Sequence, residues 1–141
     1  MRWRMAKNKL LILALSGFAL TTLTQCFTDK KNEGQRLYEA NCQSCHMEDG
    51  SGLRGVIPPI AGADYLQKHR SELPCLIRHG LEGPITVNGI EYNQPMPGVD
   101  LREDKITNLL NYIQTNFGNN NERYTMPEVE QLLESCPPKR Q

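Results

Sequence analysis

The 141-residue chain is too short for two ordinary domains once a leader is set aside, so one small core is expected, leaning on covalent staples or a bound group. Sixteen Lys and Arg balance sixteen Asp and Glu, which excludes the basic excess of a nucleic-acid binder. Hydrophobic residues at 38% and aromatics at 6% are lean for a domain that must bury its own core unaided.

The first element is a leader. Arg2, Arg4, Lys7 and Lys9 precede an apolar run from Leu10 to Leu23, the layout of an export signal. The run is shorter than the roughly 20 residues that cross a bilayer as a helix, so export with processing is favoured over a permanent span. With the leader's bases gone, the remainder is mildly acidic. Leu23-Thr24-Gln25-Cys26 resembles the lipobox of bacterial lipoproteins, with Gln25 in place of the usual small residue. That resemblance implies cleavage ahead of Cys26 and a lipid anchor on it, with an uncleaved anchor and a soluble exported form as the alternatives. The expectation is an export signal over 1–25, a polar tether over 26–31, and a domain on the periplasmic side of a bacterial membrane.

Residues 32–41 have the spacing of a short helix, with Gly34, Leu37 and Tyr38 on one face. The helix delivers Cys42-Gln43-Ser44-Cys45-His46, a C-x-x-C-H string that reads as a c-type haem attachment site. Two thiols at that spacing reach the two vinyl groups on one porphyrin edge, and the next residue brings an imidazole to the iron. Three other readings compete. A zinc site wants a second close pair of ligands, yet Cys75 and Cys136 stand alone. A thioredoxin-like motif wants a strand before it, and here a helix precedes. A plain disulfide leaves His46 without a role.

Beyond the motif, Glu48 to Gly55 is a turn-rich loop, and Pro58-Pro59 stiffens the chain into an extended run. Ser71 is placed to cap a helix through Arg78, with Pro74 in its first turn and Gly80 as its stop. Ile85 to Tyr92 alternates apolar and polar residues around Asn88-Gly89, the preferred pair for a type I′ hairpin. Met96 follows in a polar loop between Pro95 and Pro97, with no helix face to pack on. A lone Met is by default a gap-filler, but beside a haem a thioether suits the sixth iron position.

Residues 100–117 form the strongest helical pattern, with Asp100 as the expected cap, Glu103 at the capping-box position, and Ile106, Leu109, Leu110, Ile113 and Phe117 as its stripe. A last helix over 126–135 places Val129, Leu132, Leu133 and Cys136 on one face. Cys75 lies on the apolar side of its own short helix, so a Cys75–Cys136 disulfide is expected to pin the terminal helix to the body.

Taken together, Cys42, Cys45, His46, Pro58 and Met96 in that order make residues 32–120 resemble a class I cytochrome c. The resemblance implies a mainly α fold around one covalently attached haem c, with a short β-hairpin before the Met loop. It implies that Gly34 and Tyr38 of the first helix meet Leu109, Tyr112 and Ile113 of the last core helix. It implies that the Pro58 carbonyl accepts a hydrogen bond from the His46 ring, and that His46 and Met96 are the axial ligands of the iron. Residues 121–141 are an extension beyond the minimal pattern. The function implied is single-electron shuttling between redox partner proteins, with no small-molecule substrate and no catalysis. Two alternatives remain: a ligand-binding or peroxidase-like haem protein with a labile sixth ligand, and the electron-accepting subunit of a larger dehydrogenase or reductase. His69, His79, Arg78 and Tyr92 are possible contacts to the haem or its ligands, each more often an ordinary rim residue.

Overall fold

The computed structural model describes residues 30–137. The export signal, Cys26 and most of the expected tether lie outside the described residues. No helix among them is long and apolar enough to cross a membrane.

The first helix, α1, runs Lys30–Asn41 and so takes in the last two residues expected of the tether; Lys is a good helix former, and nothing before Gly34 interrupts the run. A single turn, α2 (Gln43–His46), follows at once. After the loop come α3 (Tyr65–Lys68), a 3₁₀ turn (Arg70–Glu72) and α4 (Leu73–His79). Four short strands follow: β1 (Gly80–Leu81), β2 (Ile85–Val87), β3 (Ile90–Tyr92) and β4 (Met96–Pro97). The long helix α5 spans Glu103–Thr115, and α6 spans Met126–Glu134.

The hairpin forms as its turn chemistry requires. Ile85 pairs with Tyr92 and Val87 with Ile90, and Asn88 and Gly89 both take positive φ, the signature of a type I′ turn. The Met96 segment, expected as a loop, is instead the strand β4, paired antiparallel with β1.

Two caps differ from expectation. Ser71 does not cap a helix, because the chain winds tightly through the 3₁₀ turn and enters α4 at Leu73, with Pro74 in the first turn. Asp100 does not cap α5 either. Arg102 is the extended residue before the helix, and the Glu103 carboxylate, which a capping box would need, accepts from Arg78 Nη2 at 2.9 Å instead. A tertiary ion pair has displaced the local motif. The helix also stops at Thr115, short of Phe117, which adopts a positive φ and folds its ring back to 4.8 Å from that of Tyr38.

The core forms where α5 meets α1 and α4, with Ile106, Leu109 and Leu110 almost wholly buried. A Cβ on Gly34 would lie 2.4 Å from the Asn108 carbonyl oxygen and 2.7 Å from Tyr112 Cβ, so only glycine lets α1 approach α5 this closely. Tyr38 packs beside it with its ring 5.8 Å from that of Tyr112. Glu33 adds an ion pair to Lys105 and accepts a hydrogen bond from Asn108.

Candidate functional site

The C-x-x-C-H string occupies the junction of α1 and α2. Cys42 N–H donates to the Tyr38 carbonyl at 2.8 Å, and the His46 and Cys45 amides both return to the Cys42 carbonyl. The turn therefore continues the helical path and presents both cysteines and His46 toward one side. Tyr38 Oη donates to the Met47 carbonyl at 2.7 Å, locking the exit of the motif to the core.

Both thiols are free, Cys42 buried and Cys45 exposed. Burial pushes the Cys42 thiol up to about 11, with the neighbouring Cys45 adding to the effect. No group of three or more His, Cys, Asp or Glu able to hold a metal ion occurs among the described residues, so the zinc reading loses its ligands. The thioredoxin-like reading loses its strand.

His46 is buried, and burial lowers its pKa against the opposing pull of its one hydrogen bond. Its Nδ1 lies 3.0 Å from the Pro58 carbonyl oxygen. A carbonyl only accepts, so Nδ1 carries the proton and Nε2 is left with a free lone pair. The loop that brings Pro58 there depends on Gly52, whose φ is positive and whose Cβ would lie 2.5 Å from the Ile57 oxygen and 2.6 Å from that of Pro58.

Cys42, Cys45, His46, Pro58 and Met96 all line a single apolar cleft. The cleft leaves about 990 Å³ of empty space between its walls, a figure that includes the open solvent at its mouth. Leu73, Leu76 and Ile77 of α4, Ile85, Val87 and Tyr92 of the hairpin, and Leu110 and Ile113 of α5 complete it, with Tyr65 at α3. Of the four possible contacts, only Tyr92 reaches the cleft. His69 stacks on Tyr65 at 4.0 Å between centroids and meets Glu72. Arg78 Nη2 donates to the Leu101 carbonyl and to Glu103, while its buried Nε has no partner. His79 is not among the residues lining the cleft.

The contribution of α4 was missed from sequence, although Leu73, Leu76 and Ile77 at i, i+3, i+4 carry a legible signal. The helix has two apolar sides, one on the cleft and one, with Cys75, on α6. Cys75 and Cys136 are joined by a disulfide, Cα to Cα 5.5 Å across 61 residues of sequence.

Two free thiols, an imidazole with an open Nε2 and a thioether in one apolar cleft form a donor set that fits haem c and little else. Thioether attachment takes free thiols, a borderline iron takes imidazole and thioether, and a porphyrin takes the apolar walls.

Comparison with known proteins agrees. The family model for cytochrome c matches residues 32–117. A cytochrome c-552 of Thermus thermophilus is 34% identical over 119 residues, covering 81% of this chain and 74% of the relative. A second cytochrome c-552 of the same species is 37% identical over 91 residues, 61% of this chain and 69% of that one. The fructose dehydrogenase cytochrome subunit of Gluconobacter japonicus is 30% identical over 110 residues, covering 73% of this chain but only 22% of that subunit. With its C-x-x-C-H turn at the wall of an apolar cleft and a family match across most of the described domain, the chain belongs to the cytochrome c family of electron-transfer proteins, which bind haem c covalently.

Proposed function

We propose that this chain is an exported one-electron carrier and not an enzyme, holding one haem c through thioethers to Cys42 and Cys45, with His46 and Met96 as axial ligands. The observation that carries the reading is the single apolar cleft that all four residues line. When bound, the haem supplies an iron couple that takes up and releases one electron. The protein's part is to hold that couple still and dry. The Pro58 carbonyl fixes the His46 ring and raises the basicity of Nε2. The apolar walls from α4, α5 and the hairpin would shield the bound group from water along the faces they cover. With His46 and Met96 both holding the iron, no position would be left for a substrate, which separates this reading from ligand binding or peroxidase chemistry. Pairing of β4 with β1 and the flanking Pro95 and Pro97 stiffen the Met96 segment in the same sense.

For the rest of the chain, residues 1–25 serve as the export signal, lipidated Cys26 as the anchor on the periplasmic side of a bacterial membrane, and residues 26–31 as the tether, its last two residues already helical. Residues 32–120 form the haem domain and 121–141 an extension docked on it. Absence of acyl mass, with partition into the aqueous phase of a detergent extraction, would sink the anchor.

Absorption spectra of the oxidised and reduced protein, made in a host with haem-attachment machinery, test the central claim. A low-spin spectrum with a weak sulfur-to-iron charge-transfer band is expected, and the band is expected to vanish in Met96→Ala. A high-spin spectrum that shifts with carbon monoxide would overturn Met96 as a ligand, and absence of covalent haem would overturn the site.

One observation favours a second reading, as the electron-accepting subunit of a larger complex. Met47, Leu53 and Val56 are exposed on the loop that follows the C-x-x-C-H turn, and the bridge between Leu53 and Ile57 braces the part that carries Val56. Similarity to cytochrome subunits of a fructose dehydrogenase and of quinone alcohol dehydrogenases points the same way. Co-purification with a catalytic chain distinguishes this from a free shuttle.

A further inference from the structure

Met96 sits on a segment whose position is set from the far side of α4. Strands β1 and β4 are two residues each, too short to hold their own register. They are placed by what they adjoin. α4 runs without a loop into β1, which sets Leu81 against Met96 and Gly80 against Pro97, and the Val99 amide donates to the Ile77 carbonyl at 2.8 Å. The two backbones touch. A Cβ on Gly98 would lie 2.5 Å from the Arg78 carbonyl oxygen and 2.9 Å from Gly80 N. A shift of α4 therefore carries Met96 with it.

α4 is in turn fastened on its other face. Cys75 is bonded to Cys136. Arg70, in the turn that leads into α4, lies 3.7 Å above the Tyr124 ring and donates to the Glu122 and Arg123 carbonyls at 2.7 and 3.1 Å. It also pairs with Glu128 at 3.0 Å. Tyr124 Oη returns a 2.7 Å hydrogen bond to the Arg70 carbonyl. Thr125 and Glu128 close a capping box that fixes the start of α6. The C-terminal arm is thus bolted to α4 at both ends, covalently at Cys136 and by the guanidinium near Tyr124.

We propose that the Cys75–Cys136 bridge and Arg70 are positioning residues for Met96, acting through α4 and β1 to keep the thioether in place. The inference rests on Met96 being an axial ligand, as proposed above. The test compares ferric holoprotein carrying Cys75→Ala with Cys136→Ala, holoprotein carrying Arg70→Ala with the bridge intact, and a control, Glu33→Gln, that weakens the fold at the α1–α5 contact instead. The rate at which added imidazole abolishes the sulfur-to-iron charge-transfer band is measured far below the unfolding midpoint, together with amide hydrogen exchange at Val99. Loss of the bridge is expected to speed displacement roughly tenfold, with faster Val99 exchange, as local opening responds to a lost cross-link. Arg70→Ala is expected to move both readouts the same way, and Glu33→Gln neither. Unchanged rates in both arm variants, or equal acceleration in the control, would overturn the proposal. A wild-type protein without a band that Met96→Ala removes would overturn the ligand reading, and this inference with it.

Discussion

The α1–α5 and α4–α6 pairs hold this domain together by different means. α1 and α5 meet at glycine distance, with Gly34 against the Asn108 carbonyl and the rings of Tyr38, Tyr112 and Phe117 clustered beside it. Most of that contact is shape. α4 and α6 meet through half-buried side chains, with Val129 the one buried residue of α6, and depend on a disulfide and a guanidinium. Close packing suffices where two helices can present whole faces. A nine-residue helix at the end of the chain buries too little to stay by packing alone and is held by discrete bonds.

Three changes sharpen that contrast. Removing the bridge with Cys75→Ala and Cys136→Ala should have the largest effect on global stability, about 4 kcal/mol on the loop-entropy model for a closed loop of this length. Denaturant titration of the holoprotein measures it. Gly34→Ala should cost about 3 kcal/mol, because the new methyl meets backbone and Cβ atoms that cannot swing away. Its thermal melt should drop while the α4–α6 side keeps its native amide protection. A loss as small as that of an exposed helix substitution would show that α1 can tilt away cheaply.

The smallest effect is electrostatic. The Lys105 ammonium bonded to Glu33 holds that carboxyl below its ordinary value of 4.5, with Asn108 helping and burial opposing. A folded pKa below the unfolded one means that the stabilisation is present above about pH 4.5 and is lost as pH falls through the folded value. For a pair near the surface it should amount to under about 1 kcal/mol. The stability difference between wild type and Glu33→Gln should therefore hold above about pH 4.5 and shrink as pH falls below it, as read by melts across that range. A difference that held constant would remove the ion pair from the account.

How much was legible follows the range of the interactions. The C-x-x-C-H string, the Asn88-Gly89 hairpin and the stripe of α5 are local patterns and could be read as written. The partner of Cys75 was legible because helical periodicity put one other cysteine on an apolar face. The β1–β4 pair was not legible, since Gly80-Leu81 and Met96-Pro97 have no strand pattern and pair only because α4 delivers one to the other. The caps of α4 and α5 failed for a related reason: the 3₁₀ turn and the Arg78–Glu103 ion pair are set by tertiary contacts. Arg70's contacts with residues more than 50 positions away leave no trace in local sequence. Thr125-Met126-Pro127-Glu128 is the exception, a capping box in plain form that sequence reading passed over.

The hairpin tip carries a last consequence. Asn88 and Asp64 exchange backbone-to-side-chain hydrogen bonds at 2.7 and 3.0 Å, and Asn88 Nδ2 reaches the Gly62 carbonyl. Gly62 N–H in turn donates to Asn119, whose amide group holds the Ile60 and Ile113 carbonyls. A polar surface turn is ordinarily where a chain accepts an inserted tag, a new terminus or a protease. In this protein the turn is tied through Asn119 to the end of α5, so a graft at Asn88 would loosen three segments at once. A fused partner is better inserted at the base of the hairpin, beside Gly83, where a Cβ would meet nothing within 4 Å, with the glycine itself kept because its φ of +92° strains any other residue.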